Sequence, residues 1–346
     1  MRTGAWTCVV VVFVGLCLAP AGCAASGKGL RIYWVDVEGG AATLIVTPAG
    51  ESILVDTGMP GDRDPVRIAK VAKDVAGLKA IDHLIVTHFD VDHLGGAADL
   101  SKLMPIRRVY DPGDEGAVPQ RSHDAYVAFR KTVPYTVLAP GDTVPLRAAE
   151  GSPPVRLVCL AAARKFIEPG PEHKANPIPA SESPEYPEDP SDNARSTVLL
   201  LTFGNFEFLD GADLTGGLEL RLVSPVNLVG EVDLYQVNHH GLDRSNNPVL
   251  IRSIRPTVTV MNNGHRKGCG PKTREALKAV DSIKANYQLH KNLAPGADNT
   301  PDAFIANFEP AETCKANHIE AHVAPDGSAY VVRIPATGHE RVFKTK

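Results

Sequence analysis

The chain has 346 residues, is 43% apolar and 22% charged, and carries 30 Gly and 28 Pro. That composition excludes collagen, a coiled coil and wholesale disorder, and the length supplies a core for one large or two modest domains. A formal charge of −4 and an aromatic share of 6% exclude a chain-wide pull on nucleic acid or anionic lipid and leave a base-stacking platform thinly supplied.

The first 25 residues have the layout of an export signal. Arg2 is the only charge before Lys28, residues 8–19 form an apolar run broken only by Gly15, and Ala21, Gly22, Cys23, Ala24 and Ala25 follow as small residues. The strongly apolar stretch of 12 residues is short of the roughly 20 a membrane span needs, so removal is expected over retention as an anchor. The mature protein is then exported, periplasmic or extracellular, with no stable membrane insertion. Cys23 offers a lipid anchor as the alternative, against which Pro20 stands. Of the remaining cysteines, Cys159 lies in an apolar run and reads as a core thiol. Cys269 and Cys314 lie in polar loops, where an exported protein could bridge them.

Beyond the signal, β-rich runs recur at 31–37, 43–47, 52–55, 83–87, 155–160, 197–203, 205–209, 232–237, 257–261, 318–323 and 329–334. Two amphipathic helices are predicted. Over 62–76, Ile68, Val71, Ala72 and Val75 share one face; over 272–283, Ala276, Leu277, Val280 and Ile283 do. Strands in runs at both ends of the chain, with helices between, favour two packed sheets with outer helices over a doubly wound parallel sheet. Residues 167–192 hold seven prolines and seven acidic residues and read as a long loop. It is expected to be an insertion within a single domain over 30–340, because the candidate chemistry draws on both sides of it.

Three strand ends carry that chemistry. The first places His88, Asp90, Asp92 and His93 within six residues, directly after an apolar run and just before Gly95-Gly96. Four donors at i, i+2, i+4 and i+5 of one loop can divide between two divalent ions. The second ends in Gly211-Ala212-Asp213, a carboxylate placed to bridge two ions, with an N-cap as its structural reading and Asp210 as the competing candidate. The third ends in His239-His240-Gly241, one ring serving as a ligand and the other as a nearby donor. Each segment alone also reads as an ordinary turn; together they point to a dinuclear metal site.

His-x-Asp-x-Asp-His-x-Gly-Gly, then a strand-end Asp, then His-His-Gly, resembles the metallo-β-lactamase fold superfamily. More narrowly the chain is similar to the soluble metallo-hydrolase domain of ComEC-type DNA-uptake proteins, in its opening residues 32–58 with their Asp-Thr-Gly turn and in Asn193 and Ser196 before the strand at 197–203. The resemblance covers roughly 30–110 and 193–290. It implies an α+β, four-layer αββα sandwich of two mixed sheets. It also implies that His88 and Asp90 hold one ion, that Asp92, His93 and His240 hold the other, and that Asp213 bridges them. Alignment of the His-His-Gly strand end favours His240 over His239. The commonest motif of the superfamily has His in place of Asp90, so Zn²⁺ is the expected metal and Mn²⁺ its competitor. The middle histidine ligand of the superfamily has no clear counterpart. His123 and His173 are weak candidates, and Asn193 is the better one. Glu38-Gly39-Gly40-Ala41 stands where the subgroup has Gly-Gln-Gly-Asp. Asp36 and Asp56 read as supporting or turn residues, His290 as a strand residue, and His265, Arg266 and Lys267 as a basic loop that could reach the pocket.

Two dications against three carboxylates leave a centre that attracts an anionic or carbonyl substrate. The resemblance implies a metal-dependent hydrolase using a metal-bridging hydroxide, with Asp92 orienting it and His239 or Asn193 meeting the developing charge. A phosphodiesterase or nuclease-like activity is the first reading, although the net charge does not favour nucleic acid. A hydrolase of small esters, lactones, amides or β-lactams is the alternative, and a non-catalytic metal-binding protein the third.

Overall fold

The computed structural model describes residue 1 and residues 28–118 and 121–346; residues 2–27, with most of the expected export signal and Cys23, lie outside the described residues. Two large mixed sheets stack face to face. The first has nine strands, in the order His339–Lys344, Ala329–Ile334, Ile319–Val323, Arg31–Trp34, Thr43–Val46, Ser52–Val55, His83–Ile85, Val109–Asp111 and Tyr135–Val137. It is antiparallel as far as Ser52–Val55 and parallel beyond. The second has eight strands, in the order Ile305–Asn307, Ala285–His290, Val258–Met261, Leu234–Gln236, Phe206–Asp210, Val198–Phe203, Val155–Ala162 and Lys165–Phe166. It runs parallel from Ile305–Asn307 to Phe206–Asp210 and then antiparallel.

Period-two alternation explains the layering. In the first sheet Ile32, Trp34, Ile45, Ile53, Val55 and Ile85 enter the core between the sheets. Their neighbours Tyr33, Leu44, Val46, Leu54 and Leu84 face the opposite way, into a core shared with Ile68, Leu100 and Tyr126 of the helices Arg63–Lys70, Ala97–Leu103 and His123–Arg130. The second sheet repeats the device. Leu199, Leu201, Phe206, Phe208 and Leu234 face inward, while Val198, Leu209 and Tyr235 meet Val249, Ile251 and Leu277 of the helices Pro248–Ile254 and Pro271–Lys278. With both faces of each sheet covered, central strands read as nearly continuous apolar runs. The result is the α+β, four-layer αββα arrangement.

Several boundaries differ from expectation. The helix expected over 62–76 is α-helical only over Arg63–Lys70 and continues as a wide π turn over Val71–Val75. That extra residue per turn swings Val75 out of the apolar stripe, and it is 42% exposed. The helix expected over 272–283 starts on Pro271 and ends at Lys278. Six strands that the sequence did not announce complete the two large sheets: Val109–Asp111, Tyr135–Val137, Lys165–Phe166, Ala285–His290, Ile305–Asn307 and His339–Lys344. The bridge left open between Cys269 and Cys314 is not formed. Cys269 is turned into the outer core against Met261, Cys314 points at Asp36, and both are free thiols. Cys159 is buried between the sheets, as expected.

The segment 167–192 runs as a loop over the second sheet, pinned where Lys174–Ala175 pairs with Val226–Asn227. The strands before and after it, Val155–Ala162 and Val198–Phe203, are hydrogen-bonded neighbours. No helix among the described residues is long and apolar enough to cross a membrane.

Candidate metal centre

The three motif segments meet at the carboxyl ends of parallel strands, the edge at which open α/β sheets present ligand-binding loops. Strand His83–Ile85 delivers His88 and Asp90 in its following loop, and Asp92 and His93 on the short helix Val91–Leu94. Gly95 and Gly96 let this helix press against the neighbouring turn. A Cβ on Gly96 would stand 2.2 Å from the Thr57 carbonyl oxygen, and the Thr57 amide donates to the His93 carbonyl at 2.7 Å. Strand Phe206–Asp210 delivers Asp213, and strand Leu234–Gln236 delivers His239 and His240.

Asp213 Oδ2 is the hub. His93 Nε2 and His240 Nε2 each lie 3.3 Å from it and His239 Nε2 lies 3.4 Å away. Asp92 Oδ2 lies 3.4 Å from His240 Nε2 and 3.9 Å from His93 Nε2. Asp90 Oδ2 lies 3.9 Å from His88 Nε2, and the rings of His88 and His93 are 4.1 Å apart. Donor atoms of His88, His93 and Asp213 form one group within 4.8 Å of one another, and those of Asp92, His93 and His240 form a second. His88, His93 and His240 are fully buried, and Asp213 is nearly so.

The outer nitrogens fix which lone pairs point inward. His93 Nδ1 is 2.7 Å from Asp56 Oδ2 and His240 Nδ1 is 3.2 Å from the Asn262 carbonyl oxygen. Both partners accept, so each Nδ1 donates outward and each Nε2 faces the centre, free to give up any proton to an entering ion. Thr87 Oγ1 donates to Asp56 Oδ2 at 2.7 Å and stands 3.0 Å from His88 Nδ1, which sets the same tautomer there. His93 Nε2 and His240 Nε2 then face each other at 3.3 Å, and His88 Nε2 is buried with no hydrogen-bond partner. One proton cannot satisfy three converging imidazoles; divalent cations can. This donor set fits two such ions, and Asp56 and Thr87 act by orienting the rings.

Electrostatics agree. Burial pulls the Asp213 carboxyl upward, but the charges of His239, His240 and His93 outweigh it and hold Asp213 well below the carboxylate range. Asp92 is likewise held low against burial by the hydrogen bond from His240 and the charges of His93 and Lys267. Burial and the His93 charge push His88 down, leaving it a neutral donor. His93 is held high against burial by Asp213 and Asp56, so a metal must displace a proton there. Asp210, the competing candidate, accepts from the Ala212 amide at 3.0 Å. Burial raises it to about 7, and it belongs to neither donor group.

The other sequence candidates divide. Asn193 is buried in the turn Asp192–Arg195, and its Oδ1 has no hydrogen-bond partner. His123 opens the helix His123–Arg130 and packs on Phe89 at 4.9 Å, and His173 accepts from the Gly170 amide, so neither joins the donor groups. Lys267 of the basic loop reaches the centre, with Nζ 2.5 Å from Asp92 Oδ2. Sequence reading missed Asp192. Its carboxylate accepts from the Phe89 amide at 2.6 Å and the Val118 amide at 3.0 Å and so holds the His88 loop. On the sequence it is one more acid at the end of a Pro-rich loop. Also missed was Glu219, which accepts from Asn238 Nδ2 and from the Asn246 and Asn247 amides at 2.7, 2.8 and 2.6 Å, beneath the His239-His240 turn.

Residues 35–183 match the family model described as the Metallo-beta-lactamase superfamily, a match that agrees with the layered fold and with the donor set. The chain is similar to ComE operon protein 3 of Bacillus subtilis, 23% identical over 282 residues, covering 76% of this chain and 31% of that protein. Recombination protein 2 of Haemophilus influenzae is 27% identical over 238 residues, covering 68% and 24%. A UPF0173 metal-dependent hydrolase of Polynucleobacter asymbioticus is 37% identical over 102 residues, covering 30% and 33%. The chain thus spans a third or less of the length of these curated relatives. Among solved structures, a putative metal-dependent hydrolase from Parabacteroides distasonis is 14% identical with a TM-score of 0.42, covering 75% of this chain and 93% of that one. CmlA, a diiron beta-hydroxylase from Streptomyces venezuelae, is 14% identical with a TM-score of 0.41, covering 68% and 45%.

Proposed function

We propose that the protein is an exported, dinuclear metal-dependent hydrolase of phosphodiesters. The observation that carries this reading is the convergence of three Nε2 atoms on Asp213 Oδ2 at 3.3–3.4 Å with Lys267 at the rim. His88, Asp90 and Asp213 would hold one ion, and Asp92, His93 and His240 the other, with Asp213 shared. Zn²⁺ suits the imidazoles, and the two added carboxylates make Mn²⁺ its competitor. When bound, such ions activate a water near neutral pH and stabilise negative charge on the attacked group.

The chain's own residues supply the rest. Three carboxylates against two dications leave a net positive centre, and the Lys267 ammonium adds to it, which suits an anionic diester over a neutral ester. Asp92 accepts from the attacking water and orients it. His239 belongs to neither donor trio, and burial lowers it to about 4, so it is neutral. With Ser245 Oγ 3.1 Å from its Nδ1, donation by that hydroxyl leaves a proton on Nε2 to meet the developing charge. The Asn193 amide is a second such contact. The name of Recombination protein 2 speaks for a nucleic-acid substrate. Export rests on Arg2, the apolar run at 8–19 and the small residues after it.

The purified chain, loaded with Zn²⁺ or Mn²⁺, is expected to hydrolyse bis(p-nitrophenyl) phosphate. Asp213→Asn and His93→Ala should each lower that rate by about 10²–10³-fold. Turnover of a chromogenic ester or lactam with no phosphodiesterase activity would replace this reading with the small-substrate one. No turnover of either, with two ions bound, would leave a binding protein.

A further inference from the structure

A separate group of donors lies under the loop that leaves strand Arg31–Trp34. Asp36 Oδ1 is 2.5 Å from His290 Nε2 and Asp36 Oδ2 is 3.2 Å from Cys314 Sγ. Glu38 Oε2 is 3.6 Å from His290 Nε2 and 3.4 Å from His265 Nδ1. One ligand atom from each of Asp36, Glu38, His290 and Cys314 lies within 4.8 Å of the others. The side chains of Asp36 and His290 are fully buried and that of Glu38 is 2% exposed.

Two independent features mark this as more than an ion-pair cluster. Glu38 Oε2 is buried, aimed at the group and without a hydrogen-bond partner, and so is His265 Nδ1. Glu38 also adopts a φ of 56°, a conformation that costs a residue with a side chain roughly 1–2 kcal/mol and that glycine takes freely. The subgroup motif has glycine at this place; here the strain buys a carboxylate. Arg67 pairs with both carboxylates, with Asp36 Oδ2 at 2.9 Å and Glu38 Oε1 at 3.1 Å. Two carboxylates and a Cys314 thiolate, set against Arg67 and one dication, sum to neutrality.

We propose that Asp36, Glu38, His290 and Cys314 form a structural zinc site, distinct from the catalytic pair and independent of the reading given to it. One nitrogen, one sulfur and two carboxylate oxygens are a closed four-coordinate zinc set. Zinc–ligand bonds of about 2.0–2.3 Å place tetrahedral donors about 3.3–3.8 Å apart, close to the 3.2 Å between Asp36 and Cys314 and the 3.6 Å between Glu38 and His290. The 2.5 Å Asp36–His290 contact opens as the ion enters. On binding, the Cys314 S–H bond breaks, its proton leaves to solvent and the sulfur lone pair bonds the metal. The site ties the first strand to residues 254 and 278 positions further along the chain. It also steadies the turn whose Ala41 amide donates to the Asp92 carbonyl at 3.1 Å.

Titration of the purified chain with Co²⁺, a spectroscopic substitute for zinc, tests this. The catalytic pair offers no sulfur donor, so a sulfur-to-cobalt charge-transfer band in the near ultraviolet reports this site alone. The band should saturate at one ion per chain, disappear in Cys314→Ser, and persist in Cys269→Ser and Asp213→Asn. Glu38→Gln should weaken the cobalt affinity tenfold or more. Zinc should also protect Cys314 of the wild-type chain from alkylation by iodoacetamide, read by mass spectrometry, which decides the matter even if Cys314→Ser fails to fold. No band at saturating cobalt, a band that survives Cys314→Ser, or alkylation of Cys314 unchanged by zinc would overturn the proposal.

Discussion

His239 and His240 both adopt positive φ, 52° and 55°, a costly conformation for residues with side chains. What holds them is the buried Glu219 carboxylate, through Asn238 and the Asn246 and Asn247 amides. Glu219→Ala leaves buried donors unpaired. It is expected to cost roughly 2–4 kcal/mol in urea unfolding and to weaken metal binding by freeing the turn. Asp192 plays the matching part for the His88 loop. Asp192→Ala should cost roughly 1–3 kcal/mol and lower metal affinity by about 10–100-fold, read by chelator competition; unchanged affinity would remove Asp192 from the site's support. The candidate donors were legible because each group is contiguous and follows an apolar strand. Their supports were not, since Asp192 meets Phe89 across 103 positions and Asp36 meets Cys314 across 278.

Elements with one apolar face were read well, and elements that bury polar groups were not. Strand Ala285–His290 is Ala-Asn-Tyr-Gln-Leu-His. Gln288 and His290 are fully buried because they serve the loops at 263–269 and 299–300, so no alternation of apolar and polar residues marked the strand. The π turn at Val71–Val75 escaped for another reason: apolar spacing there fits an α-helix until a single residue is inserted. Strand Phe206–Asp210 yields a prediction of its own. Burial, and then the charge of Asp233, raise Glu207 to about 7 from an ordinary 4.5. A carboxyl raised on folding binds its proton more tightly in the folded state. Its stabilising contribution is therefore full below about pH 4.5 and lost as pH rises through about 7. Glu207→Gln should match the wild type near pH 4.5 and exceed it by roughly 1 kcal/mol at pH 8, with solvent screening allowed for. Parallel stability curves from pH 4.5 to 8 would contradict this.

At the scale of the whole molecule, each sheet joins an antiparallel half to a parallel half, and the parallel halves aim their carboxyl ends at one place. The stacked sheets are tied just beneath it, where Gln236 Oε1 accepts from Trp34 Nε1 at 2.8 Å and from Thr43 Oγ1 at 2.7 Å. The layer scheme followed from the motif resemblance and from the clustering of strands, whereas the strand order did not. The pairing partners of the short strands Val109–Asp111 and Tyr135–Val137 had no signal, because three residues are too few to show a period. The account stands on the convergence of donors from three strand ends upon Asp213. Anomalous diffraction from zinc-soaked crystals tests it most directly. Two peaks about 3.5–4 Å apart are expected, one beside His88 and Asp90, the other beside Asp92, His93 and His240, with Asp213 between them. Zinc bound with Asp213 and His93 left uncoordinated would contradict it.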